Sequence, residues 1–338
     1  MNKIPNGIHY VSDDNFTWTR NKRGEDFKFL KKNGKSPKPA SLARIKKLAI
    51  PPAWTKVRIS SSKKSHIQAV GFDAKGRKQY IYHPDWVSYN QQNKFKNMIH
   101  FGKVLPFLRK TVAGHMDHHT LTRERILATV VWLLENTFIR IGNKPYEKEN
   151  KSYGLTTMRG KHVKVRGDTT KFAFKGKSGV HHELGIKNPK VAKTVKKCIE
   201  LPGYELFQYV DEDKNRQTVD SHDVNEYLHQ IVGKSTTAKD FRTWGGTTLA
   251  GVTLYKIGAP DSEEDVKEAL SNTVEEVSNH LGNTVAVCKK YYIHPKVFTS
   301  YERGRLNPHF KRAYKVHHRK PNGLSRGEHA TWTLLKSE

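Results

Sequence analysis

Cysteine is scarce. Cys198 and Cys288 are the two in 338 residues, so a disulfide-scaffolded module is excluded and a reducing, cytosolic compartment is expected. Long apolar runs are missing as well. The longest nearly apolar stretch, ILATVVWLL at residues 126–134, falls well short of the roughly 20 residues a helix needs to cross a bilayer. The opening MNKIPNGIHYVSDD has no apolar core and no small-residue cleavage site, so no secretory signal is expected. There is no Walker A loop, no strand–GxGxxG–helix unit and no cysteine pair at zinc spacing. His115, His118 and His119 in GHMDHH come nearest to a ligand cluster but lack partner ligands, so neither a metal site nor a cofactor is expected. Acidic residues are few: 32 Asp and Glu face 61 Lys and Arg.

The resulting net charge of +29 makes a compact fold repel itself, and a polyanion relieves that repulsion. Residues 1–90 hold 19 Lys and Arg against 6 acids, a surplus of 13 that leaves 16 on the remainder. The charge therefore lies on the body of the protein and not in one tail, which points to nucleic acid as partner. Hydrophobic residues at 36% and aromatics at 10% suffice for a real core. The length suits about two domains.

Turn signals at Asn6-Gly7, Arg23-Gly24, Asn33-Gly34, Pro51-Pro52 and Lys75-Gly76 break the first ninety residues into short segments. Alternation at 56–59 and 79–82 marks half-buried strands. A short helix is expected over residues 41–49, with Ser41 as N-cap and Pro51 beyond its end. After about Asn90 the pattern turns helical. Thr122 caps a helix whose Ile126, Val130, Val131, Leu134 and Phe138 share a face, with Arg140 at or just past its end. Alternating Val163/Val165 and Phe172/Phe174 then read as strands, with Gly176-Lys177-Ser178-Gly179 as a hairpin tip. Ser262 begins the clearest helix, acidic in its first turn and closed by Gly282. Residues 302–338, with nine Lys and Arg, Pro308 and Pro321-Asn322-Gly323, read as a loosely ordered basic extension. The expected architecture is α+β: a small β-rich N-terminal DNA-binding domain (1–90), a larger mainly α-helical catalytic domain containing a β-hairpin region (91–301), and the basic extension (302–338).

Paired carboxylates for metal-dependent phosphate chemistry are inconspicuous, so phosphodiester cleavage here would use a side-chain nucleophile and fixed cations. A tyrosine, with an ordinary pKa near 10, is about 0.1% ionised at neutral pH. Two Arg, a Lys and a further donor around it would favour the phenolate and stabilise a five-coordinate phosphorus. Five segments carry such a set in order. IRIGN (139–143) followed by KENKSYGLTTMRGKHV, then FKGKSGVHH, KDFRTW (239–244) and LGNTVAVCKKYYIHP resemble the catalytic segments of type IB DNA topoisomerases. IPPAWTKVRIS and HIQAVGFDAKGRKQYIYHPDW resemble the amino domain of their small bacterial and poxvirus-like members.

The resemblance implies roles residue by residue. Tyr292 attacks the phosphate and forms a 3′-phosphotyrosyl link; Arg140 and Arg242 clamp the non-bridging oxygens. Lys177 protonates the leaving 5′ oxygen, and Asn283 donates a hydrogen bond to a phosphate oxygen. Gln79, Tyr80 and Tyr82 approach bases and phosphates, and Lys239 and Tyr146 join the DNA contacts. Asn283 stands where poxvirus and eukaryotic members have His, so this residue is limited to electrostatic and positional work. Tyr291 precedes Tyr292, and the nine-residue offset from Asn283 selects the second. The two domains are expected to form a clamp around duplex DNA, relaxing supercoils without ATP, metal or any cofactor, as a monomer with no obligate protein partner and no membrane. The setting expected is cytoplasmic and nucleoid-associated, or virion and host cytoplasm for a viral chain. Two rivals stand. A tyrosine recombinase or integrase usually has His three residues before the second Arg, where this chain has Lys239, and an all-helical amino domain. A non-catalytic basic DNA-binding protein would leave Tyr292 inert.

Overall fold

A computed structural model describes residues 5–318 and 323–337. The chain divides into two compact units, residues 1–94 and 95–338. In the first, strands β1 (Trp18–Arg23), β2 (Asp26–Leu30), β3 (Thr55–Ile59), β4 (Ile67–Phe72) and β5 (Lys78–Tyr82) form one antiparallel sheet of order β2-β1-β3-β4-β5. Helix α1 (Pro39–Lys47) supplies Ile45 to a cluster with Val57, Ile59 and Ala69. This helix starts two residues before the expected Ser41. Its N-cap is Lys38, without a side-chain cap, because Pro39 presets φ at the first helical position and has no N–H to satisfy.

The helical region also begins early. Helix α2 (Pro84–His115) starts before residue 90 and carries the chain through the boundary between the units. Its buried Phe101, Leu105 and Leu108 enter the main core of the second unit. Helix α3 (Arg123–Thr137), capped by the Thr122 hydroxyl, ends at Phe138 in the left-handed conformation. After α4 (Lys144–Asn150) come β6 (Val163–Arg166), β7 (Thr169–Lys175) and β8 (His181–Lys187), an antiparallel sheet with the expected 176–179 tip between β7 and β8. Helix α5 (Pro189–Glu200), the short pair β9 (Gln208–Val210) and β10 (Arg216–Thr218), and α6 (Ser221–Val232) complete this layer.

Helix α7 (Ala238–Ile257) runs through the middle of the unit, packing against α3, α6 and α8 (Glu263–Leu281) and, beyond them, α10 (Pro295–Glu302), α11 (Leu306–Val316) and α12 (Arg326–Lys336). The short helix α9 (Val285–Tyr291) lies between α8 and α10. The segment read as a loose basic extension is instead largely folded. Leu306, Phe310, Ala330 and Leu334 are buried in a core shared with α7 and α8. The spacing of these apolar residues on α11 and α12 explains the outcome, since each helix presents an apolar face beneath its Lys and Arg. Pro321 and Asn322 lie outside the described residues.

Candidate active site

Everything at the site is organised around the carboxyl end of α8. Gly282 closes that helix at φ 56°, and the exposed carbonyls at such an end carry partial negative charge that attracts cations. Two arginines answer it from different elements. Arg242, on the second turn of α7, is 4% exposed and donates from Nη2 to the Leu281 carbonyl at 2.7 Å and from Nη1 to the Phe138 carbonyl. Arg140, just past α3, donates from Nη2 to the Gly282 carbonyl at 3.0 Å and to Asn283 Oδ1. Both guanidiniums are pulled below their ordinary range, first by burial; for Arg242, brought down to about 10, Arg140 is the next cause. They stay charged at neutral pH, held close together at a cost that an anion between them would offset.

Tyr292 joins this pair from the end of α9. Its nine-residue offset from Asn283 spans α9, which Thr284 caps through its hydroxyl to Val287 N. The phenol is hydrogen-bonded to the Arg242 side chain, whose Cζ lies 5.3 Å from the ring centroid. Behind it, Thr247 Oγ1 on α7 donates to the Tyr292 carbonyl at 3.2 Å. Two buried donors are left over: Asn283 Nδ2 and Arg242 Nε have no hydrogen-bond partner. Buried polar groups are almost always paired, so two unpaired donors beside a phenol and two guanidiniums suit a tetrahedral oxyanion such as phosphate.

Not all the expected residues converge. Lys177 is exposed at the β7–β8 tip, and no contact ties its ammonium to the arginines. Tyr146 on α4 is near enough to favour the charged form of Arg140. Lys239 is exposed on the first turn of α7. In the first unit, Tyr80 and Tyr82 share the exposed face of β5 with ring centroids 5.9 Å apart. Gln79 does not share that face. Strand alternation puts it on the opposite face, where Nε2 donates to Asp73 Oδ2 at 3.0 Å. One residue was overlooked by sequence reasoning: His182, whose imidazole is pushed below its ordinary pKa first by burial and then by Arg140 and Arg242. The available signal was register, since 182 pairs with the inward Phe174. Among the described residues no group of three or more His, Cys, Asp or Glu side chains is placed to hold a metal ion. His115 Nδ1 is instead hydrogen-bonded to the Tyr227 hydroxyl at 2.8 Å. Among the described residues no helix is long and apolar enough to cross a membrane.

Comparison with known proteins adds an independent finding. Residues 76–315 match the family model of the eukaryotic DNA topoisomerase I catalytic core, and residues 26–73 that of the bacterial DNA topoisomerase IB N-terminal domain. The chain is 32% identical over 299 residues to a DNA topoisomerase 1B of Acanthamoeba polyphaga mimivirus, covering 86% of this chain and 88% of that one. It is 25% identical over 228 residues to DNA topoisomerase 1B of vaccinia virus (strain Copenhagen), covering 66% and 69%. A DNA topoisomerase 1 of Mycosarcoma maydis matches 47% of this chain and 17% of its own length at 26% identity.

Proposed function

The chain belongs to the type IB DNA topoisomerases, and from that premise we propose that it relaxes supercoiled duplex DNA through a covalent bond between Tyr292 and the 3′ phosphate. The observation that carries this reading is the convergence of Tyr292, Arg140, Arg242 and Asn283 on the end of α8, with Asn283 Nδ2 and Arg242 Nε unpaired. Tyr292 Oη attacks phosphorus in line with the 5′ oxygen. The Oη–P bond forms and the P–O5′ bond breaks; the phenolic proton leaves to water, and O5′ takes a proton from Lys177 Nζ. The two guanidiniums and the Asn283 amide hold the extra negative charge on the non-bridging oxygens. The phosphodiester's free energy is retained in the phosphotyrosyl ester. The broken strand turns about the intact one, and the 5′ hydroxyl then displaces Tyr292 by the reverse step. Torsional strain drives the net change, so ATP is not consumed. Both units grip the duplex, with Tyr80, Tyr82, Lys239 and Tyr146 among the contacts.

Plasmid lacking any recombination site, incubated with the protein in EDTA and without ATP, is expected to relax. A denaturant quench is expected to trap a covalent adduct on Tyr292. Tyr292→Phe is expected to abolish relaxation, by at least about 10⁴-fold as loss of a nucleophile does, while DNA binding persists. Plasmid that stays supercoiled would favour the recombinase reading. An unaltered rate for Tyr292→Phe would remove the phenol from the chemistry.

A further inference from the structure

His182 is half-buried on β8, directly across from Phe174 on β7, with the two rings stacked at 5.1 Å and 17°. The edge of its imidazole points between two glycines that belong to different parts of the site. A Cβ added to Gly176, the residue before Lys177, would lie 2.6 Å from His182 Cδ2 and 2.7 Å from Nε2. A Cβ added to Gly282, the residue before Asn283, would lie 2.6 Å from Cε1. Any other residue at either position would push the ring out. The ring therefore touches the backbone of the Lys177 hairpin on one side and the end of α8, where Arg140, Arg242 and Asn283 meet, on the other. A second tie, Tyr153 N to the Lys175 carbonyl at 2.8 Å, holds the strand leading into the tip but not the tip itself.

The geometry points to His182 as a positioning residue that sets the reach of Lys177 to the leaving 5′ oxygen, by wedging the hairpin tip against the end of α8. This rests on the reading of Tyr292 and Lys177 given above. A neutral imidazole suits the task, because a cation there would face Arg140, Arg242 and His181, which together with burial disfavour its protonation. Lys177 is exposed and flexible by type, with four rotatable bonds, so its backbone is where placement can be set. Misplacing a catalytic group by about 1 Å can cost about 100-fold in rate.

The test uses single-turnover cleavage of a duplex carrying one scissile phosphate, made in two forms: ordinary, and with sulfur replacing the bridging 5′ oxygen. A thiolate leaves without a proton, so the sulfur substrate bypasses Lys177. His182→Ala is expected to cleave the ordinary substrate about 10- to 100-fold more slowly, to cleave the sulfur substrate at the wild-type rate, and to bind DNA unchanged. Combined with Lys177→Ala it should add nothing further, because both changes remove the same proton transfer. His182→Gln, which refills most of the space, should recover part of the rate. Should His182→Ala not fold, Gly176→Ala displaces the same ring at a backbone conformation alanine tolerates, and the same substrate contrast is expected. Equal slowing on both substrates, or a wild-type rate on the ordinary one, overturns the inference. A wild-type protein that forms no Tyr292 adduct on either substrate would instead overturn the function proposed above.

Discussion

His294 stands two residues past Tyr292, and its ring works only when neutral. Nδ1 accepts a hydrogen bond from Lys296 N at 3.0 Å, capping α10, while the ring packs 4.9 Å from Phe95. Its backbone N–H donates to Thr247 Oγ1, the hydroxyl that holds the Tyr292 carbonyl. Burial, with Lys296 adding to it, lowers its pKa to about 4. An unfolded histidine takes its proton near pH 6.5 and the folded one not until about 4, so the unfolded state binds more protons between these values. Stability from this group is present above about pH 6.5 and falls as the pH drops toward 4, by on the order of 3 kcal/mol at most. Urea unfolding at pH 7 and 4.5 should show this loss, and His294→Asn, which keeps a capping oxygen, should reduce it. An identical pH dependence in the variant would rule His294 out as the cause.

Helix α7 shows how an element serves the site through its glycines. Three residues after Arg242, a Cβ on Gly245 would overlap the Phe138 ring, and one on Gly246 would lie 3.0 Å from the Tyr292 carbonyl. The missing side chains let the end of α3 and the Tyr292 segment approach α7 closely enough for Arg242 to reach the Phe138 carbonyl. Gly245→Ala is expected to lower stability by about 1–3 kcal/mol through overpacking, despite alanine's better helix propensity. It is also expected to slow cleavage at saturating DNA, since Arg242 loses its anchor. Thermal unfolding and single-turnover rates check both, and a more stable variant would contradict the close approach. At this scale, much was legible beforehand. The Thr122 and Ser262 caps, the Gly282 stop and the 176–179 tip follow from local chemistry. The start of α1, the early onset of α2 and the docking of α11 and α12 were not. The last depends on α12 meeting distant partners: Arg109 holds Glu328 at 2.7 Å and Glu135 at 2.5 Å, and the Trp244 indole also donates to Glu328. Contacts across 219 positions leave no local trace.

For the whole molecule the surplus of positive charge is the dominant quantity. At +29, DNA binding should be governed by counterion release. With about eight phosphates contacted, log K is expected to fall against log salt with a slope near −7. Anisotropy titrations of Tyr292→Phe on a short duplex from about 50 to 200 mM salt measure it directly. Moderate salt should then raise the rate of plasmid relaxation by easing release. A slope shallower than about −3 would mean that most of the charge lies away from the DNA.

Charge by itself determined the partner class, and turn residues and periodicity the α+β arrangement, because these are properties of the chain read in one dimension; the family was legible only through the resemblance of its ordered motifs to known ones. Tertiary structure alone decided that Arg140 and Arg242 spend donors on one helix end and that Gln79 turns away from Tyr80 and Tyr82. It also decided that His182 fills the gap between two glycines 106 positions apart. The reason is physical: a side chain's donors, orientation and protonation are set by neighbours that the fold brings in from elsewhere, and a residue's identity carries no record of them.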